Sequence, residues 1–176
     1  MKEEFPINDE WVSFEIHPET PPNGVLLSER FPQAVLDRMY QNIRAAGASL
    51  GIHFGDRARL SNSRLALEAS EYARDRGQYH SFHSKVFRAY FTDARDIGNL
   101  DVLLDLARAE GLDTEELKTA LENGLYTSRL DKGHAEARQL GITAVPTFLV
   151  DGGERIIGAQ SLDVFREKLR RVEATD

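Results

Sequence analysis

Residues 141–150, with the sequence GITAVPTFLV, contain the stretch that decides the fold of this chain. The run from residue 147 to residue 150 is short, apolar and rich in branched and aromatic side chains, which predicts a buried strand. Residues 151–153, Asp-Gly-Gly, are typical of a turn, and a second short apolar run follows at residues 155–157. The two runs predict a β-hairpin whose first strand is directly preceded by Pro146.

The hairpin is flanked by helical patterns on both sides. Apolar residues recur at helical spacing from Phe31 to Ile43, where Gly47 is the expected stop, and further helical segments follow as far as Leu140. A last amphipathic pattern covers residues 162–172. Ahead of this block, residues 11–16 alternate apolar and polar side chains, which predicts another strand.

Composition limits the classes of function. The chain has 176 residues, 41% of them hydrophobic and 29% charged, which is typical of one globular protein. The net charge of -7 argues against nucleic acid and anionic membranes as partners. The first residues are acidic and interrupted by Pro6, unlike a signal peptide, and we therefore expect a cytoplasmic location.

The chain contains no cysteine. Its residues therefore cannot form a disulfide, a thiolate metal site or a thiol nucleophile. His80 and His83 share a helix face, but two histidines need a further ligand to hold a metal. We therefore expect no metal site.

Several stretches in the right order resemble the DsbA-like thioredoxin family, and in particular its FrnE type, which is related to the 2-hydroxychromene-2-carboxylate isomerases. These stretches are residues 14–21 (FEIHPETP), 87–91 (FRAYF), 96–98 (DIG), 145–147 (VPT) and 158–161 (GAQS). The resemblance implies an α/β fold with a thioredoxin-like core and an all-helical insertion domain. The core would comprise residues 1–27 and 141–176, and the insertion residues 28–140.

The resemblance also implies a substrate groove. Pro146 would be a cis-proline beside the active site, with Val145 and Thr147 presenting the adjoining backbone to a substrate. By its residues alone, Pro146 is more typical of a trans-proline that opens an edge strand, because few X-Pro bonds are cis. Asn62 would lie near the same groove, although its position first suggests a helix cap, and His17 is either a general base or a side chain that fixes a strand end.

One part of the family pattern is missing. Family members place Cys-x-x-Cys, or a single Cys or Ser, after a first strand, and here residues 1–6 resemble the end of the helix that follows it. The chain thus starts about 25 residues late on the family pattern, by strand and helix length. We expect an abbreviated form of a longer enzyme rather than a short protein that has lost redox chemistry, and we assign no catalytic residue.

In a thioredoxin-type sheet the first strand lies between the second and the third. Its loss would open the strand at residues 147–150 on one side, and an open apolar edge invites pairing. The sequence therefore predicts either a homodimer or a rearranged sheet in which residues 11–16 close the gap.

Three functions stay open at this point. The first is a protein disulfide oxidoreductase, represented by a chain without its redox cysteines and so inactive as it stands. The second is an isomerase-like enzyme that uses glutathione as its cofactor; otherwise no cofactor is expected. The third is a non-enzymatic module that binds peptides. The expected partner is a peptide or small molecule that bears a thiol or a disulfide.

Overall fold

The computed structural model describes residues 1–150 and 153–173, so Asp151 and Gly152 of the predicted turn lie outside the described residues. Over the described residues the chain forms eight helices and four short strands. No helix in that part of the chain has the length and apolar content that a membrane crossing needs.

The elements follow one another in a fixed order. They are β1 (Val25–Leu26), α1 (Leu27–Arg30), α2 (Gln33–Ala48), β2 (Arg59–Leu60), α3 (Arg64–Arg74), α4 (Tyr79–Phe91), α5 (Leu100–Glu110), α6 (Thr114–Glu122), α7 (Thr127–Gln139), β3 (Thr147–Val150), β4 (Glu154–Ile157) and α8 (Leu162–Glu173). The predicted succession of helices and a late hairpin is confirmed. The two-residue strands β1 and β2 were not predicted, because two residues are too few to show a period.

The chain divides into two compact units. The core unit comprises Met1–Ile16 and Asp131–Asp176, and the helical unit comprises His17–Leu130. The predicted boundaries, after residues 27 and 140, lie about ten residues later than the observed ones, after residues 16 and 130. The difference arises because β1 pairs with β2 inside the helical unit, and because Gly133 of α7 packs against Val12 inside the core unit.

Helices α3 to α6 enclose the main apolar core. Phe82, Leu103 and Leu117 have no solvent exposure, and Tyr72 has almost none. The side chain of Asn99 accepts a hydrogen bond from the Asp101 N–H at the start of α5, and Asp113 caps α6 in the same way. Helical periodicity and capping residues thus fix this unit, as the sequence predicts.

Helix α2 differs from its predicted form. It runs through Gly47, the expected stop, and ends at Ala48, and only Leu36 and Gly47 are buried in it. A Cβ at residue 47 would lie 2.7 Å from a ring carbon of Phe54. Gly47 therefore permits close packing against Phe54 rather than ending the helix.

The hairpin of the core unit has a regular antiparallel register. Thr147 lies opposite Ile157 and Val150 opposite Glu154. The ring of Phe148 packs edge-on against Phe165 of α8 at 4.9 Å between centroids. The predicted hairpin is confirmed, but its predicted burial is wrong, since Phe148 is 39% exposed and Leu149 51% exposed.

Residues 11–16 do not form the predicted strand. Val12 is 63% exposed and Ile16 57% exposed, whereas Ser13 and Glu15 are buried, which reverses the expected alternation. The Glu15 N–H donates to Nε2 of His134 at 2.7 Å, and Phe14 packs edge-on against the same imidazole. Contacts with α7 thus set the orientation of this segment.

The gap beside β3 is accordingly not closed by residues 11–16. Among the described residues, the sheet of the core unit contains β3 and β4 alone. The predicted rearranged sheet is therefore wrong. The homodimer stays a prediction.

We expect Gly24→Ala to destabilise the protein more than Gly51→Ala. Both glycines have a left-handed backbone, with φ of +65° and +70°, which costs an alanine about 1–2 kcal/mol. At Gly24 the new Cβ would also lie 2.5 Å from the Leu60 carbonyl oxygen, whereas nothing lies within 4 Å at Gly51. Urea unfolding of the two variants measures the difference, and equal losses would contradict the clash.

Candidate functional site

The proline loop, residues 144–147, leads into β3. Its Val145–Pro146 peptide bond is cis. The Thr147 hydroxyl donates to the Ala144 carbonyl at 2.6 Å, and the Pro146 carbonyl accepts from the Gly158 N–H at 2.8 Å. The first bond joins the two ends of the loop to each other and the second ties the loop to Gly158 after β4, while Val145 and Pro146 themselves are exposed.

One edge of β3 has no neighbouring strand. In an antiparallel ladder, every second residue bonds to the partner strand through its N–H and C=O. Because Pro146 accepts a hydrogen bond from Gly158, the next residues that face β4 are Phe148 and Val150. The backbone groups of Thr147 and Leu149 therefore face the opposite edge. No other strand of residues 1–150 and 153–173 pairs there.

A cleft of about 690 Å³ lies along this edge. We call it the β3 cleft, and its walls come from residues 1–14, the end of α7 with the following loop, β3 itself and the inner face of α8. Its apolar lining includes Phe5, Val12, Phe14, Ala137, Leu149, Phe165 and Leu169. All of these residues belong to the core unit.

The N-terminal wall of the β3 cleft is held by ion pairs. Arg166 of α8 donates two hydrogen bonds to the Glu4 carboxylate, at 2.7 and 2.9 Å. Asp9 accepts from the Lys2 ammonium and from the Trp11 indole, and the Lys2 bond above all lowers the pKa of Asp9 to about 2. The segment before residue 15 is thereby fastened to α8 and to itself.

The other two predicted groove residues lie in the helical unit. The Asn62 amide donates to the Thr20 carbonyl at 2.6 Å, and its oxygen accepts from the Arg64 N–H at 2.8 Å. Asn62 therefore lies one residue before the N-cap Ser63 and bonds to the first residue of α3, close to the cap role that its residue type favours. His17 is exposed and its Nδ1 lies 3.1 Å from a carboxylate oxygen of Glu19. A groove that joins Val145, Pro146 and Thr147 with Asn62 and His17 stays a prediction.

Both histidines of helix α4 pack against aromatic rings. The His80 ring lies edge-on to Tyr79, with 5.6 Å between ring centroids. The His83 ring stacks on Tyr79 and contacts Phe87, with 5.4 and 4.4 Å between ring centroids. Burial is the main cause that lowers the pKa of His83. Within the part of the chain that the structure describes, no group of three His, Asp or Glu side chains is arranged to hold a metal.

The chain was compared with models of known protein families. A model of the DsbA-like thioredoxin domain matches residues 7–170. The chain belongs to this family. The resemblance noted in the sequence is thus confirmed. This DsbA-like chain has the predicted thioredoxin-like fold with a helical insertion.

This DsbA-like chain is similar in sequence or structure to several known proteins. The uncharacterized Bacillus subtilis protein YwbO is 32% identical over 162 residues, which cover 91% of this chain and 80% of that protein. A probable DsbA oxidoreductase of Streptomyces coelicolor has a similar structure, with a TM-score of 0.86 and 24% identity over 94% of this chain and 75% of its own. A 2-hydroxychromene-2-carboxylate isomerase is similar with a TM-score of 0.70 and 22% identity, over 81% of this chain and 70% of its own.

Sequence reasoning did not find the β3 cleft. The first residues are acidic and interrupted by Pro6, and the sequence predicts no site there, whereas in the structure Phe5 is buried and Ile7 lines the cleft. The signal was two apolar residues within an acidic segment. It is too short to show a period, and only the fold reveals what those residues contact.

Proposed function

We propose that this DsbA-like chain is the substrate-facing part of a thiol–disulfide exchange centre. The observation that carries the proposal is the proline loop, which is anchored at residues 144–147 and yet exposed at Val145 and Pro146. It lies within the region that matches the family. The proposed site residues are Val145, Pro146 and Thr147, and the membership of Asn62 and His17 in the same groove stays a prediction.

The loop offers a peptide its backbone. Over residues 1–150 and 153–173, the N–H and C=O of Val145 make no hydrogen bond to another backbone group. An extended peptide can pair with such groups by main-chain hydrogen bonds. This supports a bound partner that lies across the loop in an extended conformation.

Exchange itself needs a thiolate. The thiolate sulfur attacks one sulfur of a disulfide, a new S–S bond forms, and the other sulfur leaves as a thiolate. The 176 residues contain no cysteine, so we propose that this sulfur is supplied from outside them. The cytoplasmic location and the thiol- or disulfide-bearing partner remain part of this proposal.

Two other functions have their own support. The structural likeness to a 2-hydroxychromene-2-carboxylate isomerase favours an isomerase-like enzyme with glutathione in the groove. The complete lack of cysteine favours a module that binds peptides without reacting with them. The three functions are distinguished by whether the chain prefers a disulfide-bridged peptide, a peptide without sulfur or glutathione.

We expect the 176-residue chain by itself to show no insulin reduction and no oxidation of a dithiol peptide. Neither reaction proceeds without a thiolate or a disulfide on the catalyst. The rate of insulin precipitation with dithiothreitol, compared with and without the chain, measures this. An acceleration proportional to chain concentration would contradict the assignment of the sulfur to an external source.

A titration of the ¹⁵N-labelled chain tests the proposed groove. The ligands are a disulfide-bridged peptide, the same peptide with serine for both cysteines, and oxidised glutathione. We expect the bridged peptide to shift the amides of Val145 and Thr147 at lower concentration than the serine peptide. Val145→Arg should abolish the shifts, whereas Leu162→Arg, at another exposed position of the core unit, should not.

The outcomes separate the functions. Equal affinity for the bridged and serine peptides would identify a binding module and overturn the exchange proposal. A response to glutathione alone would identify the isomerase-like function. An absence of any shift at the loop would contradict a substrate groove there.

A further inference from the structure

An open cavity of about 440 Å³ lies within the helical unit, where the turn before β1, strand β2 and the loop from α4 to α5 meet. This volume is in the range of small-molecule sites. We call it the Asp96 pocket, and its lining consists of Pro22, Asn23, Arg59, Asp96, Gly98 and Asn99. None of these residues belongs to the proline loop or lines the β3 cleft.

The Asp96 pocket contains two opposite charges that do not pair with each other. Among the described residues, neither the Arg59 guanidinium nor the Asp96 carboxylate forms an ion pair. Arg59 donates one hydrogen bond to the Asn23 carbonyl, and Asp96 accepts one from the Gly98 N–H at 3.0 Å. A guanidinium carries several N–H donors and a carboxylate several acceptor sites, so most of the bonding capacity of both groups is unused.

Oxygen atoms surround the space above Gly98. The point that a Cβ would occupy there lies 3.0 Å from the Asn62 carbonyl oxygen, 3.3 Å from Oδ1 of Asp96 and 3.3 Å from the Pro22 carbonyl oxygen. Over residues 1–150 and 153–173, neither of the two carbonyls accepts a backbone hydrogen bond. A side chain at residue 98 would fill this space, and glycine leaves it open.

These oxygens are suited to a primary ammonium group. An ammonium group donates hydrogen bonds through each of its N–H groups and accepts none, so it matches a site that offers acceptors alone. A calcium ion is a poorer match, since it takes about 6–8 oxygen ligands. The guanidinium of Arg59 instead suits a carboxylate, which it can bind through two parallel hydrogen bonds.

We propose that the Asp96 pocket binds a small amino carboxylate, a molecule with one primary ammonium and one carboxylate group. The ammonium group lies against Asp96 and the two carbonyl oxygens, and the carboxylate binds Arg59. The ligand has no net charge, which matches one cation and one anion in the pocket. The proposal is independent of the proposed exchange function, because it uses neither the proline loop nor a sulfur atom.

A titration of the ¹⁵N-labelled chain with defined compounds tests the pocket. Free glycine, β-alanine and 4-aminobutyrate differ in the spacing of their two charges, and the shift of the Gly98 amide gives a Kd for each. Acetate and methylammonium are the controls with a single charge. We expect the best-fitting amino carboxylate to bind at least about tenfold more tightly than either control, because it gains both charged contacts.

Two variants assign the two ends of the ligand. Asp96→Asn keeps an oxygen that can accept from the Gly98 N–H but removes the charge, so it should weaken amino carboxylate and methylammonium binding and leave acetate binding unchanged. Arg59→Gln should weaken amino carboxylate and acetate binding and leave methylammonium binding unchanged. Each loss of amino carboxylate affinity should be at least about tenfold.

Asp105→Asn is the matched control for Asp96→Asn. Asp105 carries the same charge on α5, pairs with Arg95 and Arg108, and does not line the pocket. It should leave every Kd unchanged. Far-UV circular dichroism checks that all three variants fold, and the comparison of ligands on the unaltered chain needs no variant.

Three results would overturn the proposal. Amino carboxylates that bind no more tightly than acetate and methylammonium, or that give no saturable shift at Gly98, would show that the two charges do not act on one ligand. Equal effects of Asp96→Asn and Asp105→Asn would place the ligand elsewhere. Displacement of the ligand by calcium chloride, but not by sodium chloride at the same ionic strength, would identify a metal site instead.

Discussion

Replacing Phe82 by alanine is expected to lower the free energy of unfolding by about 3–5 kcal/mol, the usual cost of deleting a buried aromatic ring. Phe82 has no solvent exposure and belongs to the apolar cluster between α3 and α6. The close-packed neighbours can only partly fill the space that the ring leaves. Urea unfolding followed by circular dichroism at 222 nm measures the loss.

Phe87→Ala is the matched control for Phe82→Ala. Phe87 lies on the same helix but is 50% exposed, so less apolar area is lost to water. We expect it to cost about 1 kcal/mol, including its contacts with His83 and Phe91. Similar losses for the two variants would contradict the placement of the core on the Phe82 face of α4.

The double variant Arg74→Met/Arg129→Met is expected to lose about 3–5 kcal/mol, since it removes cations from beside a buried carboxylate. The Glu71 side chain is 5% exposed and accepts hydrogen bonds from Arg74 at 2.9 Å and from Arg129 at 3.4 Å. Arg129 also binds Asp75, and Arg74 lies over the Tyr79 ring. The same unfolding measurement reports the loss.

Adding Glu71→Leu to that double variant should recover much of the stability. An apolar side chain of similar size needs no counter-charge, and replacing a whole buried ionic group by apolar residues is often neutral. Arg108→Met serves as the control, because its pair with Asp105 is exposed and such pairs contribute about 0–1 kcal/mol. A triple variant no more stable than the double one would contradict the role of the Glu71 charge.

Much of this protein could be predicted from its residues. Helices α3, α4 and α5 show their apolar period over more than ten residues. Asn99 caps α5, and Asn62 bonds to the first residue of α3, through atoms local in sequence. The hairpin β3–β4 was visible as two apolar runs around a turn. The family was visible because its motifs occur in order along the chain.

The residues of the proline loop were also found from the sequence, but the β3 cleft was not. Thr147 to Val150 look like a buried strand because they are apolar, yet Phe148 and Leu149 are exposed. Apolar side chains indicate that a strand prefers apolar neighbours, but they do not show whether those neighbours are present. Here no described strand pairs with the edge of β3 opposite β4.

The sequence by itself determined the family, the helices and the lack of a thiol, since these depend on residue types and on spacings of a few residues. Only the tertiary structure decided that residues 11–16 are not a strand and that a cleft lies beside β3. The deciding contact, from Glu15 to His134, joins residues 119 positions apart. Local preferences act within a turn or a ladder pair, whereas such a contact exists only once the whole chain has folded.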